Sequence, residues 1–167
     1  MTTSASRVVA ATAGFVFTHP AHFIAFGFGA GLSPVAPGTV GTLVAVPLYL
    51  LAAYFLPDAA QFALILAMFA IGLWACEVTG RHLGVHDHGG MVWDEIVAFM
   101  LVLFFTPKQP AWQAAAFALF RLFDIAKPPP IGRIDAGVGG GLGVMLDDIV
   151  AAFYALIILA CARLLLR

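Results

Sequence analysis

The sequence predicts an all-α protein, a polytopic membrane helical bundle of about four to five membrane helices preceded by an N-terminal interfacial or irregular helix. Two observations carry this. Of the 167 residues, 62% are hydrophobic and 10% charged, against roughly 45–50% apolar in a soluble domain. The apolar residues also fall into runs separated by clusters of Gly, Pro and polar residues, the punctuation of helices joined by turns. The chain, residues 1–167, reads as a single integral membrane domain. A net charge of -1 and the lack of any charge run predict no nucleic-acid partner. Membrane lipid is the partner that this composition implies, and no oligomeric state is specified by it.

Residues 8–28 are moderately apolar but interrupted by Thr18, His19, Pro20 and His22. They predict either an interfacial helix followed by a turn or one irregular membrane helix. No cleaved signal is expected, because no clean apolar core ends there in a small-residue site. Residues 29–42, GAGLSPVAPGTVGT, are dense in turn formers and predict a loop. The apolar runs 43–56 and 61–76, broken by Pro57 and Asp58, predict a helical hairpin. Each is shorter than the ~20 residues of a perpendicular span, so flanking residues must extend the helices if they cross. A second hairpin is expected from 96–105 and 111–120 around Pro107 and Pro110. The connection 121–145 is too long for a simple turn, and 146–166 is a run long enough to span. Cys76 and Cys161 lie in apolar runs, where a free thiol packs as a small hydrophobe.

Alternating direction along five runs sorts the polar segments onto two faces. Glu77, Asp87, Asp94, Glu95, Asp124, Asp135, Asp147 and Asp148 fall on or beside one face, and Asp58 on the other. Arg81, Arg121, Lys127 and Arg133 share the acid-rich face, against Lys108, Arg163 and Arg167 opposite. The positive-inside tendency therefore places the acid-rich face in the cytoplasm.

Carboxylates persist in an apolar chain mainly when they pair, bind metal or line a watery cavity. Asp94-Glu95 and Asp147-Asp148 form two adjacent-acid pairs, each at the expected start of an apolar run. One such pair can simply cap a helix and complement its dipole. Two pairs on one face, joined by Glu77, Asp87 and Asp124, point to a shared site for a hard cation such as Mg²⁺, which takes oxygen ligands. Arg121, Asp124 and Lys127 recur every three residues, on one side of a helical turn. They read either as a surface ion-pair ladder or as a phosphate grip, with Asp124 as orienter or ligand. His86 and His88 flank Asp87 and can protonate a leaving group, hold phosphate or simply sit at the interface. In the loop 29–42, Ser33, Thr39 and Thr42 offer hydroxyls just ahead of a helix N-terminus, a place that suits an anion.

Three stretches, GFGAGLSPVAPGTVGTL, GVHDHGGMVWDEIV, and FRLFDIAKPPPI followed by GGLGVMLDDI, resemble the bacterial phosphatidylglycerophosphatase A family, in the family's order and across about residues 27–154. The resemblance implies a Mg²⁺-dependent phosphatase of the bacterial inner membrane that converts phosphatidylglycerophosphate to phosphatidylglycerol and inorganic phosphate. The family's acidic motif falls on Asp87, Asp94 and Glu95, its central motif on Arg121, Asp124, Lys127 and Pro128, and its late motif on Asp147 and Asp148. PPPIGRIDAGVGG departs from the family's pattern, with Gly132 and the glycines of 137–141 where a bulkier, often more basic stretch is expected.

The site expected from these residues is a cytoplasm-facing cluster. Asp94, Glu95, Asp147 and Asp148, with Glu77, are the expected Mg²⁺ ligands. Asp87 and Asp124 join the four aspartate and glutamate ligands of the two pairs as catalytic residues. Arg121, Lys127, His86, His88, Ser33 and Thr39 are the expected contacts to the lipid phosphate. The DxDx[TV] element of aspartyl-phosphate enzymes, a Cys-x5-Arg loop and the Ser-Gly-His element of histidine phosphatases are all missing, which leaves an acid-and-metal mechanism. The alternative is a small membrane transporter or cation-coupled carrier using the same carboxylates. It fits less well, since the acids gather at helix ends on one face and no inverted repeat is evident. A CDP-alcohol phosphotransferase would also use clustered Asp and Mg²⁺, but its spaced-Asp signature does not appear.

Overall fold

The computed structural model describes residues 10–166, without the side chains of residues 134 and 135. Arg7, Arg167 and the Asp135 side chain therefore lie outside the described residues. Every regular element among those residues is helical: α1 (Ala13–Val16), α2 (Pro20–Ala25), a 3₁₀ stretch (Gly27–Leu32), α3 (Pro37–Phe55), α4 (Asp58–Leu83), α5 (Trp93–Phe105), α6 (Pro110–Ala126), α7 (Ile131–Gly137) and α8 (Gly140–Leu165). Three of them, α3, α4 and α8, are long and apolar enough to cross a membrane.

Local chemistry explains the boundaries. Pro37 and Pro110 open α3 and α6 at first-turn positions, where a missing N–H costs nothing. Leu56 and Pro57 break the run between α3 and α4 in extended conformation. Gly84, at φ 75°, closes α4 in the left-handed conformation that only glycine adopts cheaply, and its N–H returns to the carbonyls of Gly80 and Arg81.

The hairpins expected around Pro57 and Pro107 are present, but the helices outrun their apolar cores. α4 continues through Glu77 and Arg81 to Leu83, and α6 carries Arg121 and Asp124 within its last turns. α8 begins six residues before the expected 146, in the glycine stretch expected as loop. Two contacts support that start. The Glu77 carboxylate accepts the Gly141 N–H at 2.7 Å, and the bare Gly141 backbone lies against the Leu73 carbonyl, where a Cβ would overlap. The N-terminal segment resolves into two short helices and a 3₁₀ stretch, with no span among them.

α5 is the axis. It has 13 residues, and Asp94 and the whole of Ile96 to Leu103 are buried. At 1.5 Å per residue it is about 20 Å long, too short to cross a ~30 Å hydrocarbon core alone. The longer α3, α4 and α8 surround it, and small residues bring them close: Gly41 of α3 abuts Val92, and Gly72 of α4 abuts Met145 and Trp93. One end of the bundle gathers the start of α3, the end of α4, the starts of α5 and α8 and the end of α6. The opposite end gathers Phe62, Phe104 and Phe105, beside a cavity of about 560 Å³ lined by Pro107, Phe153, Leu159 and Arg163.

Candidate active site

At the first end, carboxylate oxygens of Asp94, Glu95 and Asp148 lie within 4.8 Å of one another, in the one group among the described residues with metal-ligand spacing. Asp94 and Asp148 are 8% and 3% exposed. One oxygen on each of the three, Asp94 Oδ1, Glu95 Oε2 and Asp148 Oδ2, is buried with no hydrogen-bond partner. A buried carboxylate oxygen left unmatched is costly. Three converging on one spot fit a hard divalent cation such as Mg²⁺, whose ligands are oxygens.

α5 and α8 supply these acids differently. Asp94 and Glu95 occupy the first turn of α5, as expected, although no side chain caps that helix. Asp147 and Asp148 sit two turns inside α8, too deep to cap its free N–H groups. Consecutive helical residues point about 100° apart, so the two aspartates serve different partners. Asp148 turns to Asp94 and Glu95, while Asp147 Oδ2 accepts from Lys127 Nζ at 2.6 Å.

The basic side follows from α6. Arg121 Nη1 binds Asp124 Oδ2 one turn on and lies 3.6 Å from Glu95 Oε1, so a guanidinium edges the acid cluster. Lys127 closes α6 in the left-handed conformation, φ 40°, unusual for a side-chain-bearing residue. This turns the chain into the Pro-rich loop, which the Tyr154 hydroxyl holds to α8 by donating to the Pro129 carbonyl at 3.0 Å. The two local cations thus bind Asp124 and Asp147, and Arg121 also reaches Glu95 at the edge of the three-carboxylate group.

The other expected residues are placed as follows. Glu77 bonds Gly141 N and, at 2.5 Å, Arg81 Nη2, and it lies outside the three-carboxylate group. Its cavity, about 290 Å³, is shared with His86, Gly80 and Gly140. His86 packs on the first turn of α8 beside Gly139 and Gly143. His88 Nδ1 accepts from Gly90 N at 3.0 Å, so it braces its own loop. Asp87 is exposed in that loop. Ser33 donates to the Val35 carbonyl at 2.9 Å, and Thr39 is half-buried on the first turn of α3. The hydroxyl of that stretch that reaches the basic side chains belongs to Thr42, which accepts from Arg121 Nη1 at 3.4 Å.

Residues 23–163 match the phosphatidylglycerophosphatase A family. The chain belongs to this family. It is 44% identical to phosphatidylglycerophosphatase A of Escherichia coli strain K12 over 135 residues, covering 80% of this chain and 78% of the relative. It is 43% identical to phosphatidylglycerophosphatase A of Haemophilus influenzae over 141 residues, covering 84% and 86%. A Bacteroides thetaiotaomicron protein provisionally named phosphatidylinositol-3-phosphatase is 38% identical over 147 residues, covering 84% and 91%. No solved structure matches the chain. The family match begins inside α2 and ends near the close of α8, so every residue of the acid and basic clusters lies within it.

Proposed function

We propose that this chain hydrolyses the terminal phosphate monoester of phosphatidylglycerophosphate, giving phosphatidylglycerol and inorganic phosphate, at the Asp94, Glu95 and Asp148 cluster. The observation that carries the reading is the meeting of three carboxylates with orphaned buried oxygens and an anchored guanidinium. Asp94, Glu95 and Asp148 would hold Mg²⁺, with Asp147 within one residue of the set. When bound, the metal neutralises phosphate oxygens and lowers the pKa of a coordinated water.

The chain's own groups do the rest. Arg121 and Lys127 face the phosphoryl group and stabilise the charge that spreads over its oxygens in the transition state. One carboxylate of the cluster takes a proton from the attacking water as the new P–O bond forms. The bond from phosphorus to the glycerol oxygen breaks, and that oxygen leaves as the hydroxyl of phosphatidylglycerol by taking this same proton from the carboxylate, which is restored. The excess of Arg and Lys at this end supports an orientation toward the cytoplasm in the bacterial inner membrane.

Phosphate release by the purified chain in detergent micelles tests this. Phosphatidylglycerophosphate should be cleaved, chelator should abolish the activity and Mg²⁺ restore it, and Asp148→Asn should lower the rate at least about 100-fold, the upper range for losing a metal-supporting group. An unchanged rate in Asp148→Asn overturns the site. Phosphatidylinositol 3-phosphate belongs in the same assay, because one relative bears that substrate in its name. Faster cleavage of it would replace the substrate while leaving the chemistry.

A further inference from the structure

We infer that Gly38 and Thr42 are positioning residues that fix the guanidinium of Arg121 from the first turns of α3; the inference rests on the phosphatase reading above. α3 meets the site with bare backbone. Gly38 is buried at the second position of the helix, and a Cβ there would overlap Glu95 Oε1 and lie 3.1 Å from both terminal nitrogens of Arg121. Any other residue would push the Glu95 and Arg121 pair away from α3.

One turn later Thr42, fully buried, completes the hold. Its hydroxyl proton goes to the Gly38 carbonyl at 2.8 Å. A hydroxyl has one proton to give, so its lone pairs are left to accept, and Arg121 Nη1 donates to them at 3.4 Å. Nη1 therefore sits among oxygens from three helices: Thr42 of α3, Glu95 of α5 and Asp124 of α6. The anchoring falls on one nitrogen. Arg121 Nε, buried and without a hydrogen-bond partner, is on the part of the fork left to donate to a phosphate oxygen. A planar guanidinium pinned at Nη1 can present that edge in one direction only, which is the geometric value of arginine over lysine here. Pro37, Gly38 and Thr42 then have a joint physical reason: Pro37 starts the helix, Gly38 lets it approach, and the hydroxyl one turn on at position 42 locks the result.

The test uses near-isosteric variants of the full chain in micelles, with kcat and KM measured on phosphatidylglycerophosphate. Thr42→Ser should keep kcat, while Thr42→Val and Gly38→Ala should lower it about 10- to 100-fold with KM little changed, the scale of a sub-ångström to 1 Å misplacement. In an Arg121→Lys background Thr42→Val should cost little further, because its effect passes through the guanidinium and coupled residues are not additive. Wild-type kcat in both variants, or the same loss with and without Arg121, overturns the assignment. The ¹⁵N resonance of Arg121 Nε gives a readout independent of turnover. It should move in Thr42→Val and stay in Thr42→Ser, and an unmoved resonance in Thr42→Val refutes the positioning role. If the wild-type chain releases no phosphate, the phosphatase reading falls and the resonance alone decides the placement.

Discussion

Replacing Gly72 by alanine should damage the acid cluster although the residue touches none of its carboxylates. A Cβ at Gly72 would lie 2.5 Å from Met145 Sδ, 2.7 Å from Met145 Cε and 2.7 Å from Trp93 Cδ1, where ordinary contact begins at 3.4 Å. The methionine is a flexible chain end and can swing aside. Trp93 cannot: its ring is nearly buried and its Nε1 donates to the Met68 carbonyl at 3.0 Å. The unrelieved overlap of about 0.7 Å therefore passes to the start of α5, one residue from Asp94. Overpacking of this kind costs typically about 1–3 kcal/mol, and displacement of a catalytic group by up to 1 Å costs on the order of 10- to 100-fold in rate. Phosphate release and thermal unfolding of the purified variant in micelles would measure both. Gly89→Ala is the control, since nothing lies within 4 Å of its Cβ, and it should match wild type. A Gly72→Ala protein with wild-type rate and unfolding midpoint would refute the claim that α4 holds the start of α5 in place.

Two further outcomes follow from side chains outside the cluster. Glu77→Gln should weaken the start of α8 by about 1 kcal/mol, the value of a helix cap, and leave the Mg²⁺ dependence of turnover unchanged; a tenfold or greater loss of apparent Mg²⁺ affinity would instead make Glu77 a ligand. His22 is buried against the Phe15 ring at 4.0 Å, with Nε2 2.8 Å from His82 Nδ1. Burial pushes its imidazole below the ordinary 6.5, assisted by His82 and His19 and opposed by the Phe15 carbonyl. Its folded pKa is depressed, so above pH 6.5 it is neutral whether or not α2 is docked. As the pH falls, the undocked segment takes up the proton first, and docking of α1 and α2 weakens. Hydrogen exchange of residues 13–25 should therefore accelerate below that pH and lose the dependence in His22→Phe; flat protection across the range would exclude the mechanism.

The fold class was legible because hydrocarbon-compatible runs and their Gly/Pro breaks survive in any reading of the sequence. The boundaries were less so, for a reason visible in α8. Residues 140–145 lack the composition of a helix start, and they are helical because Glu77, 64 residues away, satisfies Gly141 N and because α4 presses on glycine backbone. Tertiary contact overrides propensity there. The same shift moved Asp147 and Asp148 from an expected helix end to two turns inside it. The acid-rich face was readable from alternation alone, but its internal division was not. Which aspartate of the 147–148 pair meets Lys127 depends on the phase of α8 against α6, and hydropathy carries no phase at this precision. Arg121 stood out in the sequence, whereas the Thr42 hydroxyl that accepts from it lies 79 positions away in a stretch expected as loop.

Depth connects these points to chemistry. Asp148 lies eight residues into α8, about 12 Å along its axis, and Arg121 stands five residues before the end of α6. The cluster is therefore recessed from the ends of α6 and α8. At such a depth charges persist only with compensation. Five acids, Asp94, Glu95, Asp124, Asp147 and Asp148, meet two protein cations: Arg121, which faces Asp124 and Glu95, and Lys127, which faces Asp147. Acids therefore outnumber cations, and three of the five carboxylates converge at one spot. A phosphate monoester approaching that spot alone would be repelled. On the phosphatase reading proposed above, a divalent cation held by these carboxylates would offset that repulsion, and the edge of Arg121 away from Nη1 would meet the phosphate oxygens. On that reading cation binding and substrate binding would depend on each other, and loss of the cation should weaken substrate binding as well as turnover.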